Sequence, residues 1–438
     1  MKNYLLTGCA VVALAGISSN AIAQTAPGRF DIKLGGDAYF SVSLASQGGN
    51  PESTKMTDFT NRFRLQITPT AKADNGIEYG ANLRVRAYLA SGLIDSDQAY
   101  IFVGGNFGRI EAGMAQGPNT QYAVTAPNGF GSGGVEGDWS EGMGLINNQN
   151  TFLETSFGNG FTTITNTANA TKLNYFTPRF MAQSADNTGL MGMLSYAPTG
   201  RSIGTDASRQ RVNSLDTSAG TGLRYAGSNC PGNFAPTAAV GGTSPLLQAC
   251  AYDNITEAGL RYDGTFQRIS LSGSLGYVHG DAEGTRLAGD RDIVTYHNLE
   301  AFQVGAQLGY AGYLIGASYV DAGRSGYARP QTLNGAQIFL NDQTVWTAGI
   351  SYETGPVVVG VNYAHGTDAG DIYVPGKRKA DLISVGAIYT IAPGMTTTIE
   401  YTVSSTRNEV GYGMDTWGDT TVNSGNANLF MWKSAITF

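Results

Sequence analysis

Beyond residue 23 the chain has no apolar run near the ~18 to 20 residues that a membrane-crossing helix needs, which excludes a helical membrane protein. Charged residues are scarce, at 14%. The three histidines, His279, His297 and His365, lie far apart and suit neither a metal cluster nor a catalytic triad. No phosphate-cradling loop, catalytic dyad or cofactor motif rises above background, so neither enzymatic chemistry nor a cofactor is expected. The loop acids Asp281, Glu283, Asp290 and Asp292 lack the spacing of a calcium loop; bound Ca²⁺ is the alternative to a solvated loop. A formal charge of −7 argues against nucleic acid as a partner.

Cysteines number three. Cys9 falls in Leu6-Thr-Gly-Cys9, which matches a lipid-attachment box in letters but precedes most of the adjoining apolar stretch. That stretch, Tyr4 to Ile17, follows Met1-Lys-Asn and leads to Ala21-Ile-Ala23, the small-residue pattern read by a signal peptidase. Residues 1–23 are therefore expected to be an export signal, with 24–438 one domain. Cys230 and Cys250 then remain in a polar, Gly/Pro-rich stretch of an exported chain, where an oxidising compartment pairs them. Closing that loop stabilises by about 3 kcal/mol in the chain-entropy account.

Glycine (60 residues) and tyrosine (23) are plentiful. Units of about ten residues alternate apolar and polar, often ending in Tyr before Gly, Asp, Asn or Pro, as in Leu308-Gly-Tyr-Ala-Gly312 and Ile350-Ser-Tyr-Glu-Thr-Gly355. This dyad pattern is that of a transmembrane β-barrel, with tyrosines at the headgroup level. Tight connections at 73–76, 104–108, 263–264, 311–312, 354–356 and 392–394 alternate with long ones. Counting between them gives about sixteen antiparallel strands, near 30–44, 59–70, 77–89, 97–103, 109–115, 171–179, 190–196, 254–264, 266–278, 298–310, 313–320, 344–353, 357–365, 380–390, 396–405 and 427–438. In the last, Phe430, Trp432, Ile436 and Phe438 share one parity and Lys433 and Thr437 the other.

Three passages carry a resemblance: Phe30-Asp-Ile-Lys-Leu-Gly-Gly-Asp-Ala-Tyr-Phe40, Ala99-Tyr-Ile-Phe-Val-Gly-Gly-Asn-Phe-Gly-Arg-Ile-Glu-Ala-Gly113 and Leu173-Asn-Tyr-Phe-Thr-Pro-Arg-Phe180. With the terminal Phe438, they resemble the general diffusion porins of Gram-negative bacteria, alpha-proteobacterial branch. The resemblance implies a 16-stranded barrel in the outer membrane, a homotrimer, and passive diffusion of small hydrophilic solutes and ions. It also implies contact with lipids and lipopolysaccharide, and reading of Phe438 by the outer-membrane insertion machinery. In the family a third external loop, here about 116–170, folds into the barrel.

Arg62 and Arg64 share a parity on the second strand, and Arg84 and Arg86 on the third, opposite to Phe63, Leu65, Leu83 and Val85. All four are expected to face the lumen. A register pairing Lys72 with Gly76 would set Arg64 opposite Arg84 and Arg62 opposite Arg86. Glu136, Asp138 and Glu141 in the loop are the expected counter-charges across a constriction; the alternative is pairing with strand carboxylates such as Glu78 along a wide wall. Lys33, Asp37, Glu111, Lys172, Glu257, Arg268 and Glu400 share inward parity and are expected wall charges. A general porin is the leading reading, a substrate-specific channel for anions such as phosphate the alternative, and a barrel hydrolase a distant third. The acidic average suggests mild cation preference.

Overall fold

The computed structural model describes residues 30–47, 57–88, 94–137, 139, 170–180, 188–199, 252–282, 293–325, 342–370, 375–410 and 422–438, with a few short strand pieces between them. Sixteen strands close into one antiparallel barrel in chain order. They are β1 (Asp31–Gln47), β2 (Thr57–Lys72), β3 (Glu78–Tyr88), β4 (Ile94–Gly105), β5 (Gly108–Met114), β6 (Thr171–Phe176), β7 (Gly189–Thr199), β8 (Tyr252–Phe266), β9 (Ile269–Ala282), β10 (Leu299–Tyr310), β11 (Tyr313–Gly323), β12 (Gln343–Thr354), β13 (Val357–Gly370), β14 (Pro375–Ala392), β15 (Met395–Val410) and β16 (Val422–Thr437). β16 returns to β1, from Asp37 opposite Thr437 to Gln47 opposite Ala427. Closure leaves the wall without an edge, which is what a strand-built membrane span requires.

The distribution of side chains is the reverse of a soluble fold. Large apolar residues such as Ile101 (65% exposed), Leu173, Ile315, Val385 and Trp432 point outward, while Asn82, Asn174, Gln303, Asn362, Ser384 and Thr402 on the inward parity are buried. An outer apolar surface of this extent is stable against lipid. Several strands run past their expected ends, β14 beginning at Pro375 instead of 380. The reason is local: Lys377, Arg378 and Lys379 blur the alternation, but the backbone ladder to β13 continues through them.

Two connections differ from expectation. β2 and β3 join through a turn in which Ala73 N donates to Ile77 O (2.8 Å) and Gly76 N to Ala73 O (2.9 Å). Gly76, at φ 85°, occupies the left-handed region that favours glycine. Lys72 therefore pairs with Glu78, not Gly76, which sets Arg64 opposite Arg86, Gln66 opposite Arg84 and Arg62 opposite Tyr88. The shift is two residues, so every inward side chain stays inward. At the expected 263–264 turn, β8 instead continues to Phe266 and turns through Gln267 and Arg268. Asp263 is held in the wall by Arg261 (Nε, 2.8 Å), Arg179 (Nη1, 3.0 Å) and Ser272 (Oγ, 2.9 Å). Arg268, expected on the wall, sits exposed in that turn.

Candidate functional site

After β5 the chain turns into the barrel. A short helix α1 (Pro118–Gln121) starts the segment, and a single 3₁₀ turn (Gly134–Glu136) lies near the end of its described part. Its base is fixed by Gln116 O, which accepts from Gln121 Nε2 (2.8 Å) and Asn174 Nδ2 (2.9 Å), both of which also reach Glu111 Oε2 at 3.3 Å.

From there the segment follows the inside of the wall, joined to it strand by strand. Asn119 donates to Tyr277 O (3.2 Å) and Val124 N to Ser274 Oγ (2.8 Å) on β9. Gln307 on β10 donates to Thr125 O (2.9 Å), and Ala126 N donates to Thr347 Oγ1 (3.2 Å) on β12. Asn362 on β13 donates to Pro127 O (3.0 Å) and accepts from Val135 N (3.0 Å). Where the backbones meet, Gly305 lies against Val124 O and Gly360 against the Phe130 ring; a Cβ at either would collide.

The far end is held by charge. Gly131, Gly133 and Gly134 adopt positive φ, and the N–H groups of Ser132 and Gly134 converge on Glu400 Oε2 at 2.7 and 2.9 Å. Such a concave run of amides is an anion nest, filled here by a carboxylate of the barrel's own wall. Lys433 Nζ donates to Ser132 Oγ (3.0 Å).

The wall of β1 to β3 is built differently. Arg62 and Arg64 share one carboxylate, Asp37, at 3.3 and 2.6 Å. Arg84 and Arg86 stand on the same inward face of β3, Arg86 buried. Beside them Gln66 Nε2 donates to Asn82 Oδ1 (2.6 Å), and Asn82 Nδ2 to Gln98 Oε1 (3.3 Å). Tyr39 joins the two regions: the cations of Arg62 and Lys433 each lie 4.7 Å from its ring centroid, a cation–π distance.

Glu136 points back into its own segment and accepts from Asn128 Nδ2 at 2.6 Å. Asp138, Glu141, Cys230, Cys250, Glu283, Asp290 and Asp292 lie outside the described residues. Arg62 and Arg64 take as partner Asp37, a residue read in sequence only as a wall charge. Glu400, Asn362 and Lys433 as loop holders carry no sequence signal beyond inward parity.

Phe438 closes the seam. Gly36 N donates to its carbonyl (2.8 Å), its N–H donates to Gly36 O (3.0 Å), and its ring packs on Phe63 with centroids 6.0 Å apart.

Residues 10–409 match the Gram-negative porin family. An uncharacterized protein of Rickettsia conorii is 23% identical over 428 residues, 90% of this chain and 91% of that protein. A porin of Rhodobacter capsulatus is 31% identical over 87 residues, 20% of this chain and 26% of that one. Among solved structures, the anion-selective porin from Comamonas acidovorans covers 94% of this chain and all of its own (100%), with TM-score 0.54 at 13% identity. The trimer form of OmpT from Vibrio cholerae covers 93% and 99%, with TM-score 0.53 at 12% identity. The family match over nearly the whole chain and the closed sixteen-stranded barrel lead to one conclusion: this chain belongs to the Gram-negative porins, multi-pass channel proteins of the outer membrane.

Proposed function

We propose that the protein is a passive diffusion channel for small hydrophilic solutes and ions, whose narrowest part lies between the inward segment and the arginine wall of β2 and β3. The observation that carries this reading is the chain of bonds from β9 to β16, which ties the segment to one side of the lumen. Arg62, Arg64, Arg84 and Arg86 then set the field on the other side, with Asp138 and Glu141 as acids of the loop. Selectivity follows from bore and lumen charge, and no bond is made or broken in the solute. Residues 1–23 act as the export signal, three copies assemble as in the trimer form of the Vibrio neighbour, and Cys230 and Cys250 form a bridge in the loop between β7 and β8.

The test is single-channel recording in planar bilayers with reversal potentials in a salt gradient. Ohmic conductance proportional to salt supports diffusion; a barrel that is folded but conducts nothing overturns it. The clustered arginines favour a second reading, a channel specific for anions such as phosphate, and the Comamonas neighbour is described as anion-selective. Saturable block of chloride current by phosphate separates that reading from the first.

A further inference from the structure

At the short-turn end of the lumen, on the side of the inward segment away from the long loops, lies a recess of about 390 Å³. That size is at the lower end of small-molecule sites. Gly104, Gly105 and Gly108 of the β4–β5 turn line one side of it. Its rim combines three kinds of group.

The first is aromatic. Phe102 and Phe176 are buried on the inward face, and Tyr122 of the inward segment packs on Phe176 with centroids 5.3 Å apart. Tyr122 is held in place by its carbonyl, which accepts from Arg261 Nη1 at 3.1 Å. The second is cationic. Arg109 bonds Glu111 through Nε at 2.9 Å, keeps 38% of its side chain exposed, and lies 4.0 Å from the Phe102 ring centroid. Lys72 stands nearby at the end of β2. The third is anionic. Glu78 faces Lys72 across the β2–β3 ladder, and among the described residues no ion pair joins the two.

The recess thus presents both signs, Arg109 and Lys72 as cations and Glu78 as anion, with Glu111 bonded to Arg109 and Arg261 bonded to the carbonyl of Tyr122. A solute with one charge leaves a wall group of the same sign opposed, whereas a solute with both signs satisfies Arg109 and Lys72 at one end and Glu78 at the other. The rings add a demand for apolar surface. We propose that this recess binds zwitterionic solutes bearing a large apolar group, of which an aromatic amino acid is the simplest, with its carboxylate at Arg109 and Lys72, its ammonium at Glu78 and its side chain among Phe102, Tyr122 and Phe176. The inference depends on the channel reading for the route of entry and on the recess alone for its chemistry. Short turns face the periplasm in such barrels, so the site loads from that side.

The experiment uses the full barrel in planar bilayers at 0.1 M salt, with L-phenylalanine, glycine, 3-phenylpropionate and phenethylamine added separately to either side. Phenylalanine should reduce current in a saturable way, at concentrations about tenfold lower than any of the other three, and more strongly from the short-turn side. Glu78→Gln should weaken the phenylalanine effect about tenfold, as loss of a charged hydrogen bond does, and should strengthen the phenylpropionate effect, because the like charge that opposes it is gone. Lys72→Met replaces it as the probe if Glu78→Gln does not fold, and should weaken phenylalanine and phenylpropionate alike. Equal effects of phenylalanine and glycine, or no effect in an open channel, overturn the site and leave the channel reading intact. If the barrel does not conduct, saturation-transfer NMR on the micellar protein decides: transfer to phenylalanine that Glu78→Gln removes supports the site, and no transfer overturns it.

Discussion

The two sides of the lumen use polar residues in opposite ways. On β9 to β16, Ser274, Gln307, Thr347, Asn362, Glu400 and Lys433 face inward and bond to a segment of chain, so their polarity goes into holding that segment against the wall. On β1 to β4 the polar side chains bond to one another along the wall: Asp37 holds two arginines and a ladder of amides links Gln66, Asn82 and Gln98. One side is a support and the other a charged surface. Substitutions on the first should therefore change the size of the opening, and those on the second its ion preference.

The largest effect is expected at Glu400. Glu400→Ala removes the acceptor for two backbone amides; charged hydrogen bonds of this kind contribute about 1.5 to 3 kcal/mol each, and even 2 kcal/mol is a ~30-fold change in the docking equilibrium. Higher single-channel conductance with added current noise is the expected result, and an unchanged conductance would show that the nest does not hold the segment. Next comes the seam, which both sides share. Deleting Phe438 removes the β1–β16 closing pair and the Phe63 contact, and should lower the yield of heat-modifiable, membrane-assembled barrel at least about tenfold while export continues.

On the charged side, Arg64→Ala combined with Arg84→Ala should raise the cation-to-anion permeability ratio about two- to threefold at 0.1 M salt. At 1 M, where the Debye length falls to about 3 Å, most of that change should vanish. Asp37→Asn should move the ratio the other way by a smaller factor, since it removes a carboxylate shared by Arg62 and Arg64. Reversal potentials in a salt gradient check both. Unshifted potentials in both variants at 0.1 M would take the arginines out of the constriction. The smallest effect belongs to Cys230→Ser with Cys250→Ser: conductance within about 10–20% of the parent protein and a faster-cleaved loop in limited proteolysis, because external loops lie outside the hydrogen-bonded wall.

Alternation made most of the wall legible. Each expected strand overlaps a strand of the barrel, and the outward parity of Phe430, Trp432, Ile436 and Phe438 follows from the period of two that lipid on one face and water on the other impose. The inward parity of Arg62, Arg64, Arg84 and Arg86 was legible for the same reason and survived a register shift of two residues. A shift of one would have turned all of them to the lipid. The exact β2–β3 pairing was not legible, since it depends on whether the Asp74-Asn75-Gly76 turn closes on Lys72 or on Ala73. Nor was the 267–268 turn, because Asp263-Gly264 reads locally as a turn until Arg179, Arg261 and Ser272 converge on the carboxylate.

By itself, then, the sequence determined the strand number and the face that most wall side chains take, which are local properties of period and turn chemistry, while the place of the inward segment in the chain followed from the family resemblance. Only the tertiary structure decided which inward groups hold the segment and which pair along the wall. Glu400 and Ser132 are 268 residues apart, as are no two groups within reach of a local pattern, and Asp37 meets Arg64 only because β1 and β2 are paired in one particular register. Parity places a side chain inside the barrel; barrel closure and register determine its neighbour there.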